Sequence, residues 1–372
     1  MELVEKKIVV VGLGKTGIAV SRFLKKKGAL VVATDTAAED DLGPSIQQIR
    51  AMGIPLGLGR HESKIFAKAD LIVLSPGVPH TIEPVIEAKN RGIPVMGEIE
   101  LASRFIREPI IAVTGTNGKT TTTELIGSML KRSGIEVFVG GNIGNPLIGY
   151  VDGEQKADVV VAEISSFQLD TIESFRPWIG ILLNITADHL DRYPNFEAYA
   201  ASKIRLFENQ HAGDIAILNG SDPLVRSLTT GLKSIKLIYP ALRDNEAGAV
   251  LNGKQIIFRM HQASQPIRGV SIPDCTLRDQ TALNVLSLKH TGRHNLENAC
   301  AAGLAAMTIG AQLRAIQDAL DQFQVGPHRL EYVDTIQDID FFNDSKATNV
   351  DAVARAIQNF IQPVVLIMGG LD

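Results

Sequence analysis

Residues 110–123, IIAVTGTNGKTTTT, constrain the fold of this chain more than any other stretch. The apolar run 110–113 has the length and composition of a buried strand. A short loop with two glycines follows, and a Lys-Thr pair then precedes a helical segment predicted over 124–131. The backbone N–H groups of such a loop, together with the N-terminus of the following helix, bind phosphate groups. The stretch therefore predicts a strand–loop–helix unit that holds a nucleoside triphosphate.

The side chains of this loop support the same interpretation. In phosphate loops a lysine reaches the β- and γ-phosphates and the next hydroxyl binds Mg²⁺. Lys119 and Thr120 occupy those two places here. The usual pattern also has a glycine five positions before Gly118, where this chain has Val113, so the motif is a shortened form. A strand–turn–helix that carries Lys-Thr without binding phosphate is the weaker alternative.

Composition limits the class of protein. A chain of 372 residues is long enough for two or three domains, and its 45% hydrophobic and 21% charged residues are ordinary for a soluble globular protein. A net charge of −4 does not indicate general binding to nucleic acid. Cys275 and Cys300 have neither metal-binding nor disulfide spacing, and no apolar run has the length of a membrane span. We therefore expect a cytoplasmic protein with no nucleic-acid or membrane partner.

A second glycine-rich turn, Gly12-Leu-Gly14-Lys-Thr-Gly17, lies near the start of the chain. It follows an apolar strand over 8–11 and precedes a predicted helix over 18–27 and a strand over 29–34 that ends at Asp35. A Gly-x-Gly-x-x-Gly turn with an acidic residue about 20 positions later is typical of NAD-binding domains. By itself the turn indicates only that a diphosphate or a nucleotide binds at that helix N-terminus. A purely structural glycine turn is the alternative.

Further βα units extend this segment to residue 97. An apolar strand over 71–74 ends in Ser75-Pro-Gly-Val-Pro79, and a helix over 83–91 and a short strand over 93–96 follow. Ligands bind at the carboxyl ends of strands in open α/β sheets, so this loop is a candidate binding loop, with a plain turn as the alternative. Residues 1–97 therefore predict a Rossmann-like domain.

The central segment, 98–325, places polar groups at strand ends after the phosphate loop. A strand over 158–163 ends in Glu163, and a strand over 178–186 leads into Asp188 and His189. A carboxylate at such a strand end can hold Mg²⁺, and an imidazole between aspartates suits metal or acid–base chemistry. The alternatives are a surface glutamate and a structural histidine. Residues 232–290 predict irregular β-structure without evident chemistry.

Two helices of the central segment carry polar residues with more than one interpretation. From the sequence alone, Lys203 and Arg205 on a helix over 196–210 are expected on a solvated face. Asn295 and Asn298 share one face of a helix that ends at Ile309. These two asparagines could hydrogen-bond the edge of a base, or they could cap the helix.

The tail begins with a linker-like segment, Gly326-Pro-His-Arg329. A hairpin of strands 331–336 and 338–343, a helix to residue 360 and a buried parallel strand over 363–368 are predicted after it. About 45 residues are few for a domain of this type, so we expect an incomplete third α/β domain over 326–372.

Together these motifs resemble the Mur ligases, the ATP-dependent amino-acid ligases of peptidoglycan synthesis. Gly115-Thr-Asn-Gly-Lys-Thr120 and Asn343-Asp-Ser-Lys-Ala-Thr-Asn349 are similar to the signatures of the family, and residues 12–17, 163–169 and 184–193 resemble its D-glutamate-adding members. The resemblance spans nearly the whole chain. It implies a Rossmann-like first domain, a central P-loop ATPase domain with a mostly parallel sheet, and an α/β third domain.

The resemblance also implies a reaction. The enzyme would be an ATP-dependent ligase that adds D-glutamate to UDP-N-acetylmuramoyl-L-alanine through an acyl phosphate, as a cytoplasmic monomer. Its product would serve cell-wall biogenesis, cell shape and cell division. The first domain would then bind the UDP group of the substrate rather than NAD.

The family's functional residues can be carried over to this sequence. Catalytic roles fall on Lys119, Glu163, His189 and Lys203. Two Mg²⁺ ions would be held by Thr120, Glu163, His189 and Lys203, the last as a carbamate. Carbamylation makes a lysine carboxylate-like and requires a neutral amine, which burial favours.

ATP would be bound by residues of three segments: Gly115, Thr116, Asn117, Gly118, Lys119, Thr120, Thr121, Asn295, Asn298, Arg329 and Asp344. The UDP substrate would contact the first domain through Gly14, Lys15, Thr16, Gly17, Asp35, Thr36, Ser75 and Gly77. Further substrate contacts would come from Asn142, Ser165, Gln168, Lys346 and Thr348. The family's basic residue after the Gly-Gly-x-Asp turn, and its later Ser and Phe positions, are not among the 372 residues, so we expect incomplete D-glutamate contacts.

Three alternatives stay open. Another ligase of the superfamily, such as folylpolyglutamate synthase, would begin at the ATPase domain and leaves residues 12–17 unexplained. An NAD-dependent oxidoreductase explains the first 35 residues but not the phosphate loop. A non-catalytic sensor of ATP and a UDP-sugar is the third, and ATP turnover that depends on D-glutamate would separate it from a ligase.

Overall fold

A computed structural model describes residues 1–43, 45–153, 156–243, 246–253, 255–259, 281–285, 292–324 and 326–369. The chain forms two mainly parallel sheets covered by helices and a two-stranded hairpin, so the expected α/β class is confirmed. Within the described part of the chain, no helix combines the length and apolarity needed to cross a membrane. Cys275 and the turn at 370–372 lie outside the described residues.

The first sheet is fully parallel, with strand order β3-β2-β1-β4-β5. Its strands are β1 (Lys7–Val11), β2 (Leu30–Thr34), β3 (Leu56–Gly57), β4 (Leu71–Leu74) and β5 (Val95–Gly97). Its helices are α1 (Lys15–Lys26), α2 (Ser45–Ala51), α3 (Ser63–Phe66) and α4 (Glu83–Asn90), with a 3₁₀ turn at Asp40–Leu42. The predicted strands and helices of this segment are confirmed to within a few residues at each end.

The second sheet has nine strands in the order β14-β13-β12-β11-β10-β9-β6-β8-β7, parallel except at the β12–β14 end. The strands are β6 (Ile110–Thr114), β7 (Val137–Gly141), β8 (Val159–Glu163), β9 (Ile179–Leu182), β10 (Ile215–Asn219), β11 (Ile235–Tyr239), β12 (Gly248–Asn252), β13 (Gln255–Arg259) and β14 (Thr281–Asn284). Four of these strands lie between 232 and 290, so the β-structure expected there is confirmed where the residues are described.

The helices around this sheet are α5 (Glu98–Ser103), α6 (Lys119–Arg132), α7 (Leu147–Asp152), α8 (Ser166–Leu169), α9 (Phe196–Ile204), α10 (Pro223–Leu228), α11 (Arg293–Ile309) and α12 (Leu313–Asp321), with a 3₁₀ turn at Arg205–Phe207. Helix α6 begins five residues earlier than predicted, because Gly118 adopts a left-handed conformation and serves as its N-cap. The strand predicted over 178–186 ends at Leu182, and the following residues leave the sheet as a loop.

Parallel pairing collects the functional loops at one edge. Strand β6 lies between β8 and β9, with Val113 opposite Glu163 and Thr114 opposite Leu182. Because parallel strands end at the same edge of a sheet, the loops after these three strands lie side by side. Apolar side chains of β6, β8 and β9 fill the core beneath that edge.

The tail consists of a hairpin, β15 (Glu331–Ile336) and β16 (Ile339–Asn343), and helix α13 (Val350–Ile357). The buried parallel strand predicted over 363–368 is wrong. These residues have no regular structure, and Val365 and Ile367 are each 91% exposed. A strand needs a neighbour to receive its hydrogen bonds, and the tail sheet in the described residues contains only β15 and β16.

Candidate active site

The phosphate loop, residues 115–118, joins β6 to α6. Gly115 and Gly118 have φ values of +155° and +87°, conformations that glycine adopts most readily. A Cβ atom on Gly118 would lie 2.5 Å from Oδ1 of Asn298, so space as well as conformation requires a glycine there. The loop backbone therefore lies directly against α11, where the second group of predicted ATP residues is located.

Lys119 turns back over this loop. Its Nζ donates hydrogen bonds to the carbonyls of Gly115 (3.0 Å) and Thr116 (2.9 Å). Burial lowers the pKa of Lys119, and the negative charges of Glu163 and Asp188 oppose that shift. The lysine is thus fixed beside the loop in which phosphate groups would lie.

Glu163, at the end of β8, is 2% exposed, so the alternative of a surface glutamate is wrong. Its two carboxylate oxygens accept hydrogen bonds from Oγ1 of Thr120 and from Nδ2 of Asn142, both at 2.8 Å. A hydroxyl and a carboxylate that meet beside a phosphate loop are oxygen donors of the kind Mg²⁺ prefers. These two residues fit the expected magnesium site.

Lys203 is 2% exposed, which contradicts the solvated face expected from the sequence alone. Its Nζ donates a hydrogen bond of 2.9 Å to the carbonyl of Gly115 and lies 4.6 Å from the centre of the Tyr199 ring. Burial, and then the charge of Lys119, hold the pKa of Lys203 well below its usual value. The periodicity of α9 could not show that this face packs against the phosphate loop. Arg205, by contrast, is partly exposed and pairs with Glu208.

His189 has a left-handed backbone conformation (φ +53°), and its ring packs on Phe167 with 4.8 Å between centroids. The nearest carboxylate contact of its Nε2 is Oδ2 of Asp188, at 3.8 Å. No group of three or more His, Cys, Asp or Glu side chains in the described residues is arranged to hold a metal ion. The free amine of Lys203 does not fit a second cation site, because Mg²⁺ prefers oxygen ligands. A carbamylated Lys203 would supply oxygen ligands at this position.

A cavity of about 180 Å³ opens beside the loop, between the central sheet and the tail. Its walls include many of the predicted ATP and substrate residues: Asn117, Gly118, Thr121, Asn295, Asn298, Arg329, Asp344 and Lys346. The two asparagines of α11 are buried, and Nδ2 of Asn298 donates to Oδ1 of Asn295 at 3.3 Å. Their helix has Gly292 as its N-cap without a side-chain cap, so the capping alternative is wrong.

Several residues of the site were not identified from the sequence. Asn184 holds the phosphate loop through two hydrogen bonds with the backbone of Asn117, at 2.8 and 3.0 Å. Asp351 accepts a hydrogen bond of 2.9 Å from Nδ2 of Asn117, and Asn349 donates one of 3.2 Å to Asp188. Asn184 and Asn349 lie within the family-like motifs 184–193 and 343–349, so the sequence could have indicated them. Asp351 lies outside these motifs, and no local sequence pattern predicts its role.

In the first domain, predicted residues hold the glycine turn in place. Oδ2 of Asp35 accepts from the amide of Leu13 at 2.6 Å, and Oγ of Ser75 donates to the carbonyl of Gly12 at 2.8 Å. A Cβ on Gly17 would lie 1.8 Å from the Gly12 carbonyl oxygen, so this glycine is required by packing. The exposed rim of the turn is formed by Gly14, Lys15 and Thr36, with Thr16 half-buried beside them and Gly77 exposed on the neighbouring loop.

The remaining predicted substrate residues are placed less uniformly. Ser165 and Gln168 form a capping box at the start of α8, in which each side chain accepts a hydrogen bond from the backbone amide of the other residue. Arg192 donates a hydrogen bond of 3.3 Å to the carbonyl of Gly77 and thereby joins the central segment to the first domain. Thr348 is exposed and is not part of the cavity lining.

Comparisons with known proteins extend this description. A family model for the Mur ligase middle domain matches residues 113–306, and one for the Mur ligase MurD-like N-terminal domain matches residues 6–97. The chain is 53% identical to the UDP-N-acetylmuramoylalanine–D-glutamate ligase of Desulfatibacillum aliphaticivorans, over 100% of the chain and 79% of that protein. It is 50% identical to the same ligase of Desulfosudis oleivorans, over 100% of the chain and 78% of that protein.

Two solved structures are similar in fold. One is a murein peptide ligase from Psychrobacter arcticus, with 19% identity and a TM-score of 0.57 over 95% of this chain and 75% of that one. The other is a UDP-N-acetylmuramate–alanine ligase from Thermotoga maritima, with 21% identity and a TM-score of 0.53 over 95% of this chain and 77% of that one. At these identities the similarity concerns the fold alone.

Proposed function

The chain belongs to the Mur ligase family, and we propose that it joins D-glutamate to UDP-N-acetylmuramoyl-L-alanine in an ATP-dependent step of peptidoglycan synthesis. The observation that carries the chemistry is the convergence of four side chains on one loop. Lys119 and Lys203 both donate to the carbonyl of Gly115. Thr120, on the first turn of α6, donates to the carboxylate of Glu163 at the end of β8. This arrangement suits transfer of a phosphoryl group, in which positioning and charge neutralisation lower the barrier.

We assign the substrates to three domains. Residues 1–97 would bind the UDP group at the glycine turn, where α1 presents its N-terminus without a side-chain cap. Residues 98–325 would bind ATP at the phosphate loop and the adjoining cavity. Residues 326–372 would contribute to the site that holds the amino acid, with Thr348 and Lys346 as candidate contacts. Asn142, Ser165 and Gln168 would line the path between the two nucleotide sites.

In the first chemical step, the terminal carboxylate of the UDP substrate attacks the γ-phosphorus of ATP. An O–P bond forms, the bond to the β-phosphate oxygen breaks, and an acyl phosphate and ADP result. Lys119 would neutralise the negative charge that four anionic groups bring together, and the loop amides would hold the β-phosphate. Asn295, Asn298, Arg329 and Asp344 would fix the nucleoside end of ATP.

Mg²⁺ ions, when bound, would screen the phosphates from the attacking carboxylate. Thr120 and Glu163 would hold one ion, and His189 with a carbamylated Lys203 would hold a second. The burial of Lys203 and the nearby charge of Lys119 support this proposal, because both favour the neutral amine that reacts with carbon dioxide.

In the second step, the amine of D-glutamate attacks the acyl carbon. A C–N bond forms, inorganic phosphate leaves, and the amine proton is lost to solvent or to a nearby base. Water would compete for the same carbon, so the tail must close over the intermediate. Contacts between the tail and the phosphate loop, such as that of Asp351 with Asn117, are consistent with such a closed arrangement.

Calorimetric titration with UDP-N-acetylmuramoyl-L-alanine tests the substrate class, and NADH serves as the control ligand. We expect saturable binding of the UDP compound and none of NADH. Binding of NADH, or of neither ligand, would overturn the assignment of the first domain. Release of phosphate from ATP that requires both D-glutamate and the UDP substrate then distinguishes a ligase from a nucleotide sensor.

A further inference from the structure

One wall of the cavity beside the phosphate loop is formed by a single face of α13. Ala352, Arg355 and Ala356 all line the cavity, and the spacing of three and four residues places them on one side of the helix. The lining also includes residues at the start of α11, among them His294 and Asn295. The tail helix therefore contributes two methyl groups and one guanidinium to a cavity that is also lined by other tail residues, such as Arg329 and Lys346, and by the central segment.

The guanidinium of Arg355 is held in a defined place. Its Nε donates a hydrogen bond of 2.8 Å to Oδ2 of Asp351, one turn earlier on α13, and its side chain is 33% exposed. The same carboxylate oxygen accepts the hydrogen bond of 2.9 Å from Asn117 of the phosphate loop. An ion pair of this spacing on one helix contributes only a few tenths of a kcal/mol to stability. Here the pair fixes an arginine against a cavity and ties it to the loop.

The electrostatics of the cavity support this placement. Burial, together with the positive charges of Arg355 and Arg329, lowers the pKa of His294 to about 4. The imidazole is therefore neutral at physiological pH. The neutral imidazole and carboxamide groups of α11, with the methyl groups and planar cation of α13, are groups that suit a flat heteroaromatic ring. Arg329 and Lys346 of the same lining suit the phosphate groups.

We propose that Arg355 is a nucleotide-binding residue whose guanidinium plane, flanked by Ala352 and Ala356, stacks on the purine of ATP. Asp351 is a positioning residue that holds Arg355 in this orientation. The inference rests on the proposed function, because it takes ATP as the nucleotide. It assigns part of the base-binding site to the tail, so that nucleotide affinity depends on the position of α13.

Calorimetry of ADP binding to the full chain tests the proposal. Stacking of a cation on an aromatic ring predicts that Arg355→Ala weakens ADP binding roughly 5- to 30-fold. Arg355→Lys should bind ADP about as weakly as Arg355→Ala, because lysine keeps the positive charge but lacks the planar guanidinium group. Inorganic tripolyphosphate with Mg²⁺, which has no base, should bind wild type and both variants equally. The control is Arg50→Ala, which removes an exposed partner of Glu39 in the first domain and should leave ADP affinity unchanged.

The role of Asp351 requires a double-mutant cycle. Asp351→Asn should weaken ADP binding in the wild-type background and have little further effect when Arg355 is already alanine. Equal effects of Asp351→Asn in both backgrounds would overturn the positioning role. Unchanged binding of the UDP substrate, and of tripolyphosphate, shows that each variant is folded.

Two results would overturn the role of Arg355 itself. If Arg355→Lys binds ADP like the wild type while Arg355→Ala does not, the contact is a charge on phosphate. If both variants bind ADP like the wild type, the residue does not contact the nucleotide. Failure of the wild-type chain to bind ADP at all would instead overturn the proposed function, and this inference with it.

Discussion

Lys203 donates a hydrogen bond of 2.9 Å to the backbone carbonyl of Gly115, the same oxygen that accepts a hydrogen bond of 3.0 Å from Lys119. Two lysine side chains therefore meet at one atom of the phosphate loop. Each positive charge disfavours the other, and burial removes most of the hydration that would stabilise them. Lys203 is 2% exposed, and its pKa is shifted well below the usual value. The lowered pKa favours the neutral amine, which is the form that can be carbamylated.

The first prediction concerns that modification. Enzyme depleted of carbon dioxide should lose activity and regain it when bicarbonate is added. The activity of Lys203→Ala should be lower than that of the wild type by roughly 100-fold or more, and bicarbonate should not restore it. Labelled bicarbonate should give a carbamate carbon signal by NMR in the wild type and none in Lys203→Ala. Lys64→Ala, at a lysine whose side chain is 77% exposed, should behave as the wild type. A fully active Lys203→Ala variant, or a wild type without the carbamate signal, would contradict the prediction.

The second prediction concerns Glu163. Glu163→Gln keeps the shape of the side chain but removes the charge next to Thr120, so the half-saturating Mg²⁺ concentration for ATP turnover should rise roughly 10-fold or more. Saturating Mg²⁺ should restore part of the rate. The matched control is Glu136→Gln, at an exposed carboxylate before β7. An unchanged dependence on Mg²⁺ in the Glu163 variant would exclude this carboxylate as a metal ligand.

The third prediction compares two glycines to separate the effect of a left-handed backbone conformation from that of a steric clash with a neighbouring side chain. Gly118 and Gly134 have φ values of +87° and +78°, so alanine at either position should cost about 1 kcal/mol of stability. Only at Gly118 would the new methyl group collide with Asn298, because nothing lies within 4 Å of a Cβ on Gly134. We expect Gly118→Ala to lose ATP affinity as well, measured by calorimetry, and Gly134→Ala to keep it. Equal ATP affinities of the two variants would contradict the close approach of loop and helix.

The fourth prediction concerns Glu98, which is buried at the start of α5 and accepts a hydrogen bond of 2.6 Å from the amide of Ile148. Burial raises its pKa from 4.5 to about 7. Below pH 4.5 the carboxyl is protonated in both the folded and the unfolded chain. As the pH rises from 4.5 to 7, the unfolded chain releases this proton first. Stability therefore falls by a total of about 3 kcal/mol over this window, and the loss persists above pH 7.

Glu98→Gln removes this titration. Its free energy of unfolding should increase relative to that of the wild type between pH 5 and pH 8, because only the wild type loses stability as Glu98 ionises; chemical denaturation at each pH measures this difference. Glu136→Gln, at an exposed carboxylate, should show no such trend. A constant difference between Glu98→Gln and wild type across this range would show that Glu98 has an ordinary pKa in the folded protein.

Local sequence was sufficient for the elements around the phosphate loop. Strand β6, the loop and α6 were predictable because an apolar run, two glycines and a helical segment each act through short-range preferences of the backbone. The placement of Glu163 near that loop followed from parallel strands ending at one edge of a sheet. The same reasoning failed for residues 363–368, because an apolar run forms a strand only where a neighbouring strand can accept its hydrogen bonds.

What the sequence by itself determined is the α/β class, the two glycine turns and the motifs that identify the family. Only the tertiary structure decided that Lys203 is buried and that Asn117, Asn298 and Arg355 surround one cavity. The physical reason is the range of the interactions. Helix and strand patterns depend on neighbours a few residues apart, whereas the burial of a polar side chain depends on segments far away in the chain. Asn117 and Asp351 illustrate this, because their hydrogen bond of 2.9 Å joins residues that no local pattern connects.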